Sequence, residues 1–235
     1  AAAAALGAPE RPVSFTVPTG NFGDIFAGYV AKRMGLPIAR LVIATNVNDI
    51  LVRALSGGDY RTDTVTPTSS PSMDIQVSSN FERLLFEAYG RDGAAISGLM
   101  SRLKQGGGFE IDEVPLEAIR REFAAASTDE AETLATIGRI HKATDLVLDP
   151  HTAVGVAAAE SHLADGVPMV TLATAHPAKF AEAVEKATGL APRLPEALAD
   201  LESRPERMTR LPADTAKVEA FIADTCRATR KEAAR

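Results

Sequence analysis

The run Pro18-Thr19-Gly20-Asn21-Phe22-Gly23-Asp24 carries the sharpest local chemistry in the sequence. Its two glycines allow close backbone approach and unusual dihedrals. Thr19 and Asn21 bring side chains that can donate hydrogen bonds. Amides in the first turn of a following helix have no intrahelical acceptor, and the helix dipole adds partial positive charge, so such a loop can hold an anion such as phosphate. An ordinary strand-to-helix turn needs the same glycines, and spacing alone leaves both readings open. The nucleotide patterns fit badly: no Lys-Ser or Lys-Thr pair follows Gly23, and no Gly-x-Gly-x-x-Gly is present. Other chemistries have little to work with. His141, His151 and His162 show no metal spacing, there is no His-Glu-x-x-His or Cys-x-x-Cys, and no serine sits in Gly-x-Ser-x-Gly. Neither a metal site nor a hydrolase triad is expected.

The elements around the loop form a pattern. Residues 13–17 are a short β-branched and aromatic run between Pro12 and Pro18, read as a buried strand. After the loop, Ile25, Tyr29, Lys32 and Met34 fall on a helix that stops at Gly35 and Pro37. Residues 39–44 read as a second strand, and Asn48 is expected to cap a helix over 49–56 that ends at Gly57-Gly58. Strand, loop, helix, strand and helix in this order predict a parallel sheet. Residues 62–71 read as a Thr-, Ser- and Pro-rich loop. Helices are expected over 81–89, 94–103, 115–125, 129–142, 152–163 and 178–188, and strands over 146–148 and 167–172. Residues 192–208 read as irregular and 215–231 as a surface helix with Val218, Phe221 and Ile222 on one side.

Composition bounds the function. The 235 residues are 46% apolar and carry a net charge of −6, which argues against a protein that grips nucleic-acid phosphates through a basic face. A single cysteine, Cys226, allows no internal disulfide and points to the reducing cytoplasm. The alanine run 1–5 lacks a positive leader and soon meets Gly7, Pro9 and Glu10, so it does not read as a signal sequence, and no apolar stretch is long enough to span a bilayer. The chain begins without Met in what reads as the end of a helix, a hint of a missing upstream segment.

Several stretches together resemble the threonine synthase family. The loop, in the form Val-Pro-Thr-Gly-Asn-Phe-Gly-Asp-Ile and running on into Ala27-Gly28-Tyr29, is similar to that family's phosphate-binding loop. Ala44-Thr45-Asn46-Val47-Asn48-Asp49, the stretch 68–83 with Pro71-Ser72-Met73-Asp74-Ile75 and Ser79-Asn80-Phe81-Glu82-Arg83, Asp149-Pro150-His151-Thr152-Ala153-Val154, and Thr174-Ala175-His176-Pro177-Ala178-Lys179-Phe180 resemble it too, in the family's order. The resemblance implies an α/β, parallel-sheet domain of the fold-type-II, tryptophan synthase β-like class that binds pyridoxal phosphate. It is incomplete here and carries a helical C-terminal tail. Residues 1–190 are expected to be the C-terminal part of the cofactor domain, and 191–235 an irregular segment with a surface helix. The implied reaction turns O-phospho-L-homoserine and water into L-threonine and phosphate.

By the same resemblance, Gly20, Asn21, Phe22 and Gly23 bind the cofactor phosphate through backbone amides, and the Thr174 hydroxyl bonds the pyridine nitrogen. A neutral hydroxyl there does not force a proton onto the ring and so moderates its pull on electrons. Read without the family, Thr174 is better taken as a helix N-cap ahead of Pro177. Asn80 and Arg83 are candidates for contacting the substrate's phosphate, Arg through its planar fork, with a surface position for Arg83 the other reading. His176 is expected as a local hydrogen-bond partner and Lys179 as a solvated helix residue.

The family's Schiff-base lysine lies in a Phe-Lys-Asp context that does not occur here, and none of Lys32, Lys104, Lys142, Lys179, Lys186, Lys217 or Lys231 replaces it. The chain is therefore expected to hold no catalytic residue of its own, to be inactive alone, and to work with a missing N-terminal half. Half of a doubly wound sheet also leaves an edge exposed. Two rivals stand beside this reading: another fold-type-II lyase or synthase, and a non-catalytic domain that binds a phosphorylated ligand.

Overall fold

The computed structural model describes residues 1–226. After a short helix, α1 (Ala2–Ala5), the run around Phe15 forms strand β1 (Val13–Pro18), and the glycine loop leads into α2 (Gly23–Arg33). Strand β2 (Ile38–Thr45) and helix α3 (Ile50–Gly57) follow, then β3 (Asp59–Arg61), α4 (Phe81–Ala88), α5 (Gly93–Gly106), β4 (Gly108–Glu110) and α6 (Glu113–Glu122). Next come β5 (Phe123–Ser127), α7 (Glu130–Thr144), α8 (Pro150–Glu160), β6 (Met169–Thr171), a 3-10 turn over Pro177–Phe180, and α9 (Ala181–Thr188). The chain divides into two units, Ala1–Arg193 and Leu194–Arg235.

In the first unit four strands lie side by side in the order β5-β2-β1-β6, all parallel. The predicted parallel sheet is present. Strand β2 is apolar along its whole inner length because both its faces are covered. Leu41 and Ile43 point into a core with Ile25, Tyr29, Leu51 and Phe123, whereas Ala44 packs with Val154 and Ala158 of α8. Helix α8 packs against all four strands. It comes so close that a Cβ on Gly155 would sit 2.7 Å from Thr171 Cγ2 and 3.1 Å from Pro18 Cγ. This packing fixes the end of β1, and hence the loop after it.

The sequence expectations fail at four places. Helix α6 stops at Glu122 instead of running to 125, and the following Phe-Ala-Ala-Ala-Ser is strand β5, paired with β2 from Leu41↔Phe123 to Thr45↔Ser127. Alanine favours helix intrinsically, but Ala126 is small enough to sit against Ala44 and α8, and tertiary packing decides. Residues 146–148 form no strand; Leu148 is buried with Ile137 and Ala153 and is held by its side chain, not by a neighbouring strand. Asn48 does not cap α3, whose N-cap is Asp49. Its side chain is turned to Asn46, Thr66 and Asp74. An antiparallel pair, β3 with β4, also arises where no strand is expected; Tyr60 stacks on Phe109 across it at 4.9 Å.

The second unit holds 3-10 turns at Glu196–Leu198 and Leu201–Ser203 and helix α10 (Thr215–Thr225), capped by the Asp214 carboxylate, which accepts from the Lys217 amide at 3.0 Å. Val218 and Phe221 are half-buried and Ile222 is exposed. The expected continuation of this helix to 231, with Lys231, lies outside the described residues. Among the described residues no helix is long and apolar enough to cross a membrane.

Candidate functional site

The glycine loop turns at an unexpected residue. Phe22, not a glycine, takes the left-handed conformation (φ 68°) and forms the N-cap of α2. A phenylalanine pays for that backbone with its side chain: the ring is 1% exposed and packs edge-on against Phe81 at 5.2 Å and against Phe123 at 5.8 Å. The left-handed turn just before a helix sets successive amides facing one concavity, the geometry of an anion nest. The amides of residues 20–23 donate to no described protein atom. Gly20 serves close approach: a Cβ there would lie 2.5 Å from the Ser72 carbonyl oxygen. Thr19 is tied inward, its amide donating to Ala44 O at 2.8 Å and its hydroxyl to Val17 O at 2.6 Å.

The segment around Ser72 is the wall facing the loop, and a polar network holds it. Asp74 Oδ1 accepts from Asn46 Nδ2 at 2.8 Å, Asn48 Nδ2 at 3.2 Å and the Thr68 hydroxyl at 2.7 Å, and Oδ2 from the Thr68 amide at 2.8 Å. Asn46 and Asn48 are buried at the end of β2, so they anchor the wall to the sheet. Further along, the Ser78 hydroxyl donates to Gly20 O at 2.7 Å and the Asn80 amide to Asn21 O at 3.1 Å. Asn21 Oδ1 accepts from the Ser79 hydroxyl at 3.3 Å. The Asn21 side chain thus bonds the wall through its oxygen.

Across the sheet, the chain leaving β6 completes a cleft of about 360 Å³. Gly20, Asn21, Phe22, Gly23, Asn80 and Thr174 all line it, together with Lys179 and Phe180. Thr174 is exposed and its hydroxyl bonds no described residue. The helix cap at this point is His176, whose Nδ1 accepts from the Ala178 amide at 3.2 Å. Lys179 is exposed, as expected, but reaches the cleft, with its ammonium 5.9 Å from the Phe180 ring centre.

Arg83 is the one candidate the structure places elsewhere. Helix α4 buries Phe81, Leu84 and Leu85, which leaves Glu82, Arg83 and Phe86 on its outer side. There Arg83 lines a separate hollow with Phe26, Glu87 and Met100. The structure instead brings His151 to the cleft, with Asp149 bonded behind it. Asp149 caps α8, accepting from the His151 amide at 2.9 Å and from the Thr152 hydroxyl, while His151 Nδ1 lies 2.9 Å from Asp149 Oδ1. Burial pushes the Asp149 carboxyl up, but hydrogen bonds from His151 and Thr152 outweigh it and hold the group below the ordinary carboxylate range. The spacing Asp-Pro-His-Thr, an acidic cap followed by Pro, was the sequence signal available for this pair.

The matches to known proteins are consistent along the chain. The family model described as threonine synthase, C-terminal, matches residues 152–222. A threonine synthase of Pseudomonas aeruginosa is 53% identical over 223 residues, which cover 94% of this chain and 48% of that protein. One of Corynebacterium glutamicum is 43% identical over 92% of this chain and 46% of its own length. Among solved structures, a threonine synthase of Brucella melitensis with bound PLP superposes with a TM-score of 0.88 at 59% identity, covering 94% of this chain and 48% of that one. The yeast enzyme gives 0.81 at 40% identity, covering 92% and 48%. The chain spans about half the length of the relatives it matches.

Proposed function

Because this chain belongs to the threonine synthase family and corresponds to the C-terminal part of its members, we propose that its cleft holds pyridoxal 5′-phosphate for the conversion of O-phospho-L-homoserine and water into L-threonine and phosphate. The observation that carries this reading is the shared cleft: residues 20–23 and Thr174, more than 150 residues apart in sequence, line one cavity. The residues suit the cofactor. The amides have no acceptor among the described residues, and a Cβ at position 20 would collide with the facing Ser72 carbonyl.

The residues' roles follow from their placement. The loop amides and the positive end of α2 bind the phosphate dianion. The left-handed Phe22 aims those amides, and its ring pins the turn to the core. The wall at Ser72, held by Asp74, limits the cradle to a ligand that can approach backbone closely. Thr174 presents a neutral hydroxyl to the ring nitrogen, so no carboxylate at this end drives its protonation. Asn80, with its side chain beside Gly23, is the substrate-facing polar group on the loop side. When bound, the cofactor supplies the electron sink that stabilises a carbanion on the amino-acid substrate.

No lysine in this sequence stands in a Phe-Lys-Asp setting, so turnover needs the half of the relatives' length that this chain does not span, and that half is the partner we assign to it. The single cysteine agrees with a cytoplasmic site of action. Two measurements test the proposal. Pyridoxal 5′-phosphate binding to this chain should be saturable and weakened in a Thr174→Ala variant. Threonine release from O-phospho-L-homoserine should be absent for the chain alone and present when a family N-terminal half is supplied. Turnover by the lone chain, or cofactor affinity that ignores position 174, would refute it.

A further inference from the structure

His151 plays no part in the reading above, yet its ring is placed with care. It is 4% exposed, and Asp149, 1% exposed, takes its Nδ1 at 2.9 Å. That bond fixes the tautomer and the ring plane. The other nitrogen, Nε2, is buried and has no hydrogen-bond partner among the described residues. Native structures rarely leave such an atom unsatisfied, because its desolvation is not repaid. The Phe180 ring meets the imidazole edge-on at 4.8 Å and offers no polar atom. His151 is also one of the residues lining the cleft shared by Gly20, Asn80 and Thr174.

The unpaired nitrogen and the cleft therefore belong together. We infer that His151 is a ligand-contacting residue of this cleft, with Nε2 hydrogen-bonding the phosphorylated pyridine ligand seated between the 20–23 loop and Thr174. The inference rests on the cofactor reading given above. Asp149 acts through His151 as a positioning residue: it occupies Nδ1, and so leaves Nε2 as the ring's one polar atom for a ligand. Phe180 keeps the ring from turning away, since it packs on the imidazole and lines the cleft itself.

Long-range ¹H–¹⁵N spectra of the chain labelled at histidine test this directly, with pyridoxal 5′-phosphate as the titrant and pyridoxal as the phosphate-free comparison. The Nε2 resonance of His151, identified by its loss in His151→Asn, is expected to move saturably with pyridoxal 5′-phosphate. Two variants separate contact from scaffold. His151→Asn keeps an atom facing Asp149 but none at the Nε2 position, and should bind roughly tenfold more weakly, the worth of one such bond. His151→Gln restores a polar atom at that reach and should recover most of the loss. Saturable binding with a stationary Nε2 resonance and equal affinities in both variants overturns this inference and leaves the cofactor reading standing. No saturable binding to the unmodified chain overturns both.

Discussion

A methyl group on Gly20 would lie 2.5 Å from the carbonyl oxygen of Ser72, a backbone atom on the facing wall of the cleft. Neither partner is the tip of a flexible side chain, so alanine at position 20 has to displace a loop. Such overpacking costs about 1–3 kcal/mol. Gly23 is the contrast: a Cβ there meets only Asn80 Nδ2, at an ordinary 3.6 Å. Gly20→Ala is expected to lower the urea midpoint and to weaken pyridoxal 5′-phosphate binding at least tenfold, whereas Gly23→Ala should leave stability unchanged or raise it by about 0.4–1 kcal/mol. Equal behaviour of the two variants would show that close approach is not what position 20 requires.

Phe22 couples the loop to the core. Its backbone is left-handed and its ring is enclosed by Phe81 and Phe123. Truncation to alanine removes the packing and keeps the unfavourable φ, so Phe22→Ala should cost about 3–5 kcal/mol, the range for a buried phenylalanine. Phe22→Gly loses the same ring but is relieved of the backbone penalty. It should therefore be no less stable than the alanine variant, the reverse of the usual order, and chemical denaturation of the pair reads that order.

The glycine loop and the sheet around it were legible because each is local or rests on an ordered set of motifs. Strand, loop and helix follow from the β-branched run at 13–17 and the glycines after it, and the structure places Gly20 and Thr174 in one cleft. What escaped depends on partners distant in sequence. The Phe123–Ser127 stretch looks helical until β2 and α8 are beside it. Asn48 looks like a helix cap until Asp74, 26 residues on, claims its side chain. His151 looks unremarkable until its burial and its unpaired nitrogen are known. Arg83 reads as a phosphate fork by residue type, but the buried face of α4 decides its direction.

The Asp74 network offers a test of the wall separate from the loop. Asp74→Ala removes the acceptor of the half-buried Thr68 amide and one of several acceptors of the Asn46 and Asn48 side chains, and a hydrogen bond to a charged group contributes about 1.5–3 kcal/mol. The effect should reach the ligand, since Ser72 and Met73 line the cleft and immediately precede Asp74 in a 3-10 turn. Lower thermal stability together with weaker pyridoxal 5′-phosphate binding is expected. A variant that loses stability and keeps full affinity would show that the wall does not shape the site.

Tyr60 ties the β3–β4 pair to the same segment. Its hydroxyl accepts from the Ser78 amide at 2.8 Å and donates to Ser78 O at 3.3 Å, and the residue is 2% exposed. Burial pushes its phenol up from 10.0 to about 12, with the Ser78 backbone bond opposing. A group whose folded pKa is raised binds its proton more tightly in the folded state. Its contribution is whole below the unfolded value and is lost as pH rises from about 10 towards 12. Two such units correspond to about 2–3 kcal/mol. Burial raises Tyr29 and Tyr89 as well, so the wild-type alkaline slope is shared. The difference between wild type and Tyr60→Phe isolates this residue: urea stability measured between pH 9 and 12 should converge as pH rises, with Tyr60→Phe the weaker at pH 9 and the gap closing above 10. Parallel curves would mean that the phenol does not stay protonated in the folded chain.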